Sequence, residues 1–368
     1  MAQKNSVLER SAESLVQQVK DAIDDKSVLH IQGGGSKAFY GNPAHENSTV
    51  LNMLHHEGVI DYAPEELMIH VKAGTRLADV VSLLKENDQI LAFEPPDFNN
   101  ESTIGGVVAA GISGPRRPYA GSVRDFVLGV TLITGSGDVL SFGGQVMKNV
   151  AGYDVSRLVT GALGTLGVIL DVSLKVLPAP EVEKTVLRKM SVEKFLPSLQ
   201  SLPKNLPLSA VAYEDGSMRI RISGSRVAVD AALEVVAADE IDSAYWQKAN
   251  TLAGLTEADT NKLWRVSVAP NSGLFLEQAA RIDWAGGLRW LKDPEFDPRE
   301  QLSGNAGHAT FLMGQGMKQR MRQSDSELNE YIDVFQPLTE PLLGIHKRLK
   351  KQFDPLGIFN PGRMYKDI

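Results

Sequence analysis

The chain has 368 residues, 43% of them hydrophobic and 23% charged, a balance that supports two or three folded domains and excludes disordered, collagen-like and coiled-coil classes. Cysteine is absent, so the chain itself can hold no disulfide, thiol nucleophile, cysteinyl flavin link or ordinary iron-sulfur cluster. A net charge of -7 without any long Lys/Arg run argues against a nucleic-acid surface, and the lack of a long apolar run predicts a cytoplasmic protein with no transmembrane segment.

Residues 7–23 carry Leu8, Ala12, Leu15, Val19 and Ala22 at helical spacing, and 28–32 read as a strand that runs into Gly33-Gly34-Gly35. A second strand is predicted over 67–71, then a helix over 76–86 capped by Thr75. Pro95-Pro96 closes that unit in extended chain. Residues 126–134 and 139–142 predict a hairpin around Gly135-Ser136-Gly137-Asp138, and 166–177 alternate as a half-buried strand. Beyond Pro178 and Pro180 glycine thins out and helix formers increase. The chain is therefore divided into 1–180, an α+β part at 181–340, and a terminal segment 341–368. Its helix 341–352 is expected to bury Leu342, Ile345, Leu349 and Phe353 and to leave Lys347, Arg348, Lys350 and Lys351 outside.

Of 33 glycines, 14 fall between Gly105 and Gly167, so a ligand approached by backbone is to be sought in the first half. Gly33-Gly34-Gly35-Ser36-Lys37 follows a strand and fits an anion nest or a tight turn. Ser102 to Gly111, Lys148 to Asp154, and Gly161 to Ile169 are three further clusters. Each alone is a turn. Together they suggest an extended anion solvated by main-chain N–H groups. Pro43 and the missing Gly-Lys-Ser/Thr ending speak against nicotinamide-Rossmann and Walker A readings.

In this order the motifs of residues 28–180 resemble the FAD-binding domain shared by vanillyl-alcohol oxidase and p-cresol methylhydroxylase. The resemblance implies an α+β fold, a two-part FAD-binding domain with a small α+β cap, and FAD contacts at Gly33, Gly34, Gly35, Ser36, Lys37, Pro96, Thr103, Ile104, Gly105, Gly106, Gly111, Asp125, Asn149, Gly152, Tyr153, Gly164, Thr165, Gly167, Val168 and Ile169. Within that family, Lys148 to Asp154, Leu263-Trp264-Arg265, Gly307-His308-Ala309-Thr310 and the terminal Phe353 to Gly362 are similar to the FAD-binding subunits of glycolate oxidase. That similarity implies glycolate oxidation to glyoxylate in a complex with a larger FAD-containing catalytic subunit and an iron-sulfur subunit, peripheral at the inner membrane through the complex. Asn360 is expected beside the flavin ring. The glycine loop lacks the histidine that covalent relatives carry, so FAD is expected to be noncovalent.

Oxidising a 2-hydroxy acid needs a base for the hydroxyl proton and a cation for the carboxylate. His308 is the candidate base, and Arg265 and Arg289 are the candidate clamps. No metal is expected, since one histidine is no metal site. His55 and His56 read as ordinary surface or core positions. Two other functions stay open: a self-sufficient FAD-dependent dehydrogenase for D-lactate or another 2-hydroxy acid, and a non-catalytic flavin-binding scaffold subunit.

Overall fold

A computed structural model describes residues 2–144, 154–256, 262–302, 307–312 and 333–368. Along the chain the helices are α1 (Ala2–Asp25), α2 (Leu77–Lys85), α3 (Ile104–Ala110), α4 (Arg117–Ala120), α5 (Val123–Phe126), α6 (Val155–Val159), α7 (Val192–Ser201), α8 (Arg226–Val236), α9 (Ala244–Asn250) and α10 (Glu340–Phe353). Contacts divide the chain into two units, one comprising Met1–Ile112, Ser122–Pro178 and Pro337–Ile368, the other Ser113–Gly121 and Ala179–Gln336. The chain passes between the units after Ile112, Gly121, Pro178 and Gln336. The segment Ser113–Gly121, expected within 1–180, packs with the second unit.

In the first unit, β1 (Leu29–Gln32) and β2 (Thr49–Asn52) pair in parallel. The remaining strands are β3 (Val59–Ala63), β4 (Met68–Lys72), β5 (Gln89–Ile90), β6 (Val127–Ile133), β7 (Val139–Gly143), β8 (Val168–Lys175) and β9 (Leu177–Pro178). They form an antiparallel sheet ordered β3-β4-β8-β6-β7 and a small β5–β9 pair. The 126–142 hairpin is present as β6 and β7.

β8 differs from the half-buried strand expected for 166–177. It lies between β4 and β6, and Val168, Ile169, Leu170, Val172, Ser173 and Leu174 are all buried. A central strand covered on both faces selects apolar residues at nearly every position, so its alternation carries little information about exposure. The cap of α2 also differs. Arg76, not Thr75, is the N-cap, and Thr75 Oγ1 instead accepts a hydrogen bond from the Gly58 N–H at 2.9 Å.

Helix α10 turns out differently from its sequence pattern. Leu342 and Ile345 are exposed, whereas Lys350, expected outside, is buried. Its ammonium donates to the carbonyls of Thr165 at 2.8 Å and Phe359 at 2.6 Å and pairs with Asp354 at 2.8 Å. A buried cation is tolerated when oxygens surround it on several sides.

The second unit is built on an antiparallel sheet of β10 (Val182–Lys189), β11 (Leu208–Glu214), β12 (Ser217–Gly224), β13 (Asp239–Ile241), β14 (Leu263–Val268), β15 (Arg281–Asp283), β16 (Leu288–Lys292) and β17 (Gly307–Leu312), ordered β13-β10-β12-β11-β15-β16-β14-β17. Val186, Val211, Ile220, Ile222 and Ile282 form a core with Phe195 of α7 and Val229 of α8. Trp264, Val266, Leu291, Ala309 and Phe311 form a second core among β14, β16 and β17.

Candidate functional site

The first unit contains an open groove made of two adjoining clefts whose shared lining includes Ile31, Gly33, Thr103, Gly106 and Asn360. One wall is the loop Gly33–Lys37, which leaves β1 where the parallel pair ends. Among the described residues, none of the five backbone N–H groups from Gly33 to Lys37 has a protein acceptor. These half-buried residues line an open cleft, so their amides are left to water or to a ligand.

The opposite wall comes from α3. Its half-buried positions Gly106 and Ala109 line the cleft and carry no side chain beyond a methyl group. The amides at its start are already engaged: Ile104 N–H donates to Thr75 O, Gly105 N–H to Ala73 O at 2.8 Å, and Gly106 N–H to the N-cap Thr103 Oγ1 at 3.3 Å. The second glycine cluster thus supplies clearance for a ligand, while the first supplies donors. This corrects the expectation that every glycine cluster offers free amides.

Lys37 is the cation of the loop. Its ammonium donates to Ser102 Oγ at 2.6 Å, Ser36 Oγ lies 3.0 Å from the same oxygen, and Ser102 N–H donates to Asp97 Oδ1 at 3.1 Å. Burial lowers the Lys37 pKa to about 8, against the opposing pull of Asp97. Pro96 enters this network through its carbonyl, which accepts from Ser102 Oγ at 3.4 Å.

The groove gathers Gly33, Gly34, Gly35, Ser36, Lys37, Thr103, Gly105, Gly106, Gly164, Gly167, Ile169 and Asn360 of the expected contacts. Others lie elsewhere. Ile104 and Val168 are core side chains, and Thr165 is buried and bonded to Ala162 O at 2.7 Å. Gly111 ends α3 in the left-handed region and packs on Gly161. The Asp125 carboxylate accepts from Ser122 N–H and Oγ, closing a capping box on α5. Asn149, Gly152 and Tyr153 fall outside the described residues.

Asn360 reaches the groove by a route the Asn-Pro-Gly turn signal does not show. Its Oδ1 accepts from Ile31 N–H at 2.9 Å and its Nδ2 donates to Leu163 O at 2.7 Å, so one side chain joins β1 to the loop before Gly164. Arg363, absent from the expected set, also lines the groove; it is buried and donates to the carbonyls of Ala38 and Gly41 at 2.8 and 3.0 Å. A conspicuous motif could have revealed it, but a lone arginine three residues after Asn360 carries none.

The candidate catalytic residues lie in the second unit. Arg265 pairs with Thr310 and Ser267 with His308, which places Arg265 and His308 diagonally on one face of the sheet. Desolvation of the ring, and then the charge of Arg265, hold the His308 imidazole below its ordinary pKa. Arg289 pairs with Val266 and therefore lies on the opposite face. It is fully buried and donates to the carbonyls of Ser272, at 3.1 Å, and Gly286. The structure thus brings two of the three together and assigns Arg289 to backbone support. Among the described residues no group of three or more His, Asp or Glu could hold a metal, and no helix is long and apolar enough to cross a membrane.

The FAD binding domain family matches residues 6–143. The glycolate oxidase subunit GlcE of Escherichia coli (strain K12) is 41% identical over 97% of this chain and 98% of its own length. The glycolate oxidase subunit GlcD of Bacillus subtilis (strain 168) is 26% identical over 91% of this chain and 83% of its own. Among solved structures, alkyldihydroxyacetonephosphate synthase shares the fold, with a TM-score of 0.65 at 17% identity over 95% of this chain and 74% of that one. With its near-complete overlap to the first of these relatives, the chain belongs to the GlcE family of glycolate oxidase subunits and carries an FAD-binding domain.

Proposed function

We propose that FAD lies noncovalently in the groove of the first unit, with its diphosphate against Gly33–Lys37, and that the chain acts as a flavoprotein subunit in the oxidation of glycolate to glyoxylate. The observation that carries this reading is the run of five N–H groups that have no protein acceptor among the described residues, in a loop lining a cleft whose α3 wall has no bulk. Such a nest solvates a diphosphate without a cluster of side-chain charges. Lys37 adds one cation, and the loop carries neither the histidine nor the cysteine of a covalent link. Oxidation of a hydroxy acid requires a two-electron acceptor, which bound FAD supplies.

With no cysteine in this chain, an ordinary iron-sulfur cluster that accepts electrons from the flavin belongs to another chain. We therefore place this subunit in a complex with a larger FAD-containing catalytic subunit and an iron-sulfur subunit. A second reading, catalysis by this chain itself on glycolate or D-lactate, draws on the shared face of His308 and Arg265. Flavin content tests the first claim: protein purified with FAD should be yellow, and acid should release the flavin. A folded, colourless protein that does not take up added FAD would remove the reading. Dye reduction by the isolated chain with glycolate or D-lactate separates the two assignments of catalysis.

A further inference from the structure

Behind the glycine loop stands an arginine that no motif marks. The Arg76 backbone is the N-cap of α2 and bridges to Thr103, the N-cap of α3, while Leu77 N–H donates to Ser102 O at 2.8 Å. These ties fix where the side chain starts. A Cβ built on Gly34 would lie 3.2 Å from Arg76 Nη1, so the guanidinium rests against the middle of the triple glycine. The same Cβ would meet Glu101 O at 1.7 Å, which places both groups on the side of Gly34 that is packed with protein. Gly34 lines the cleft, and Arg76 does not.

The side chain is half-buried, and its Nη1 is shielded from solvent without a hydrogen-bond partner. Among the described residues no carboxylate pairs with it. A shielded nitrogen of a cation with no acceptor is costly, and a native fold that keeps one calls for a reason. The reason offered by its position is charge. The loop's amides supply partial charges to the cleft, and Arg76 adds a full positive charge from behind the same peptides. Coulomb attraction needs no contact and carries through a single layer of backbone, weakened by whatever solvent and salt reach the partly exposed group.

We propose that Arg76 is a second cation of the diphosphate subsite, beside Lys37, and that it acts on the ligand through the Gly34 peptide by charge and not by contact. This rests on the FAD reading above and extends it to a residue outside the groove lining.

The test is a titration of the flavin-stripped full chain with FAD, followed by flavin fluorescence. Arg76→Gln should weaken FAD binding about five- to tenfold at about 0.02 M salt, and the gap should shrink at about 0.5 M, where the Debye length falls to a few Å. Arg76→Lys should keep most of the parent affinity, because a point charge suffices where no planar fork is used. Without flavin, Arg76→Gln should unfold at a thermal midpoint equal to or above that of the parent, since the unpartnered nitrogen has lost its charge. Equal losses of affinity in the Lys and Gln variants, or a lowered midpoint with a salt-independent loss, would make Arg76 a packing residue and overturn the proposal. FAD bound equally by the parent and Arg76→Gln at low salt also overturns it and leaves the flavin reading standing. A parent chain that takes up no FAD removes that reading and the role of Arg76 with it.

Discussion

Glycines that look alike in sequence do different work at the groove. A Cβ on Gly34 would sit 1.7 Å from Glu101 O, and one on Gly105 2.6 Å from the Ala73 Cβ, so both are glycine because protein packs against them. A Cβ on Gly106 would meet only Thr103 Oγ1, at 3.2 Å. Gly106→Ala is therefore expected to keep or slightly raise the thermal midpoint, since alanine favours a helix interior by about 0.5–1 kcal/mol, while weakening FAD binding about tenfold or more by filling the groove. Equal losses in both measurements would assign Gly106 to packing. Gly34→Ala should instead lose the fold, seen as missing soluble protein or a collapsed unfolding transition.

Lys37 gives the groove a pH dependence. With its pKa lowered to about 8 in the free protein, Lys37 is mostly protonated at pH 7 and mostly neutral at pH 9. Binding the anionic diphosphate favours the charged form, so FAD affinity should fall as pH rises above 8, approaching tenfold per unit. Lys37→Met should flatten that slope. A parent chain with pH-independent FAD affinity from pH 7 to 9 would remove Lys37 from the diphosphate contact. The glycine loop and this lysine were legible in sequence because donors, cation and turn are contiguous. Asn360 was expected only through the resemblance, and Arg363 not at all, because their partners at Ile31 and Ala38 lie over 300 residues away and the contacts depend on the tertiary fold.

At the scale of elements, α10 shows where periodicity misleads. Leu342 and Ile345 lie at core spacing yet are exposed, and the residue that docks the helix is Lys350. The pattern reports a helix correctly, but one buried lysine bonded to two carbonyls and Asp354 is indistinguishable in sequence from its solvated neighbours Lys347 and Lys351. Asp354 in turn accepts from the Ile358 and Phe359 amides at 3.1 and 2.8 Å, fixing the turn that delivers Asn360. Lys350→Met should cost about 3 kcal/mol in urea unfolding, because it leaves a buried carboxylate without its partner. The Lys350→Met/Asp354→Asn pair should cost less than the sum of the single changes. A loss below about 1 kcal/mol for Lys350→Met would show that the lysine is dispensable.

The contact between α1 and the turn after β2 depends on protonation. His56 is buried, and its Nδ1 lies 2.9 Å from Ser11 Oγ. Burial, and then the charge of Lys72, lower its pKa from 6.5 to about 4. The folded chain keeps the ring neutral while the unfolded chain protonates it near pH 6.5. The contribution is thus fully present above pH 6.5 and is lost as pH falls toward 4. Between pH 7 and pH 5 about 2 kcal/mol should disappear. His56→Gln should abolish most of that difference between urea midpoints at the two pH values. An unchanged difference would trace the acid sensitivity to other groups.

At the scale of the whole molecule, each unit has a backbone feature that sequence patterns report only indirectly. The glycine distribution pointed to the first half of the chain, and the groove is there. The second part was legible only as α+β, and which residues share a face of its sheet depends on register. Thus Arg265 and Arg289, equivalent in composition, lie on opposite faces. Arg117 sits amid first-unit sequence yet belongs to the second unit, which no local pattern marks.

Amide exchange tests this division on the intact chain. The N–H groups of Gly33–Lys37 have no protein acceptor among the described residues and should exchange quickly in the flavin-free protein, whereas those of β8, paired on both sides, should be slow. Adding FAD should slow the loop more than any other segment, with smaller protection around Gly106 and Gly164. It should leave the slow exchange of β10 to β12, which belong to the other unit, unchanged. Binding to the folded state also raises global stability by about 2.7 kcal/mol at a hundredfold excess over Kd, which affects only amides that exchange by full unfolding. The loop's amides exchange without unfolding, so their protection reports contact. If FAD binds and peptides spanning 33–37 show no slowing, the diphosphate lies elsewhere and the nest is a turn.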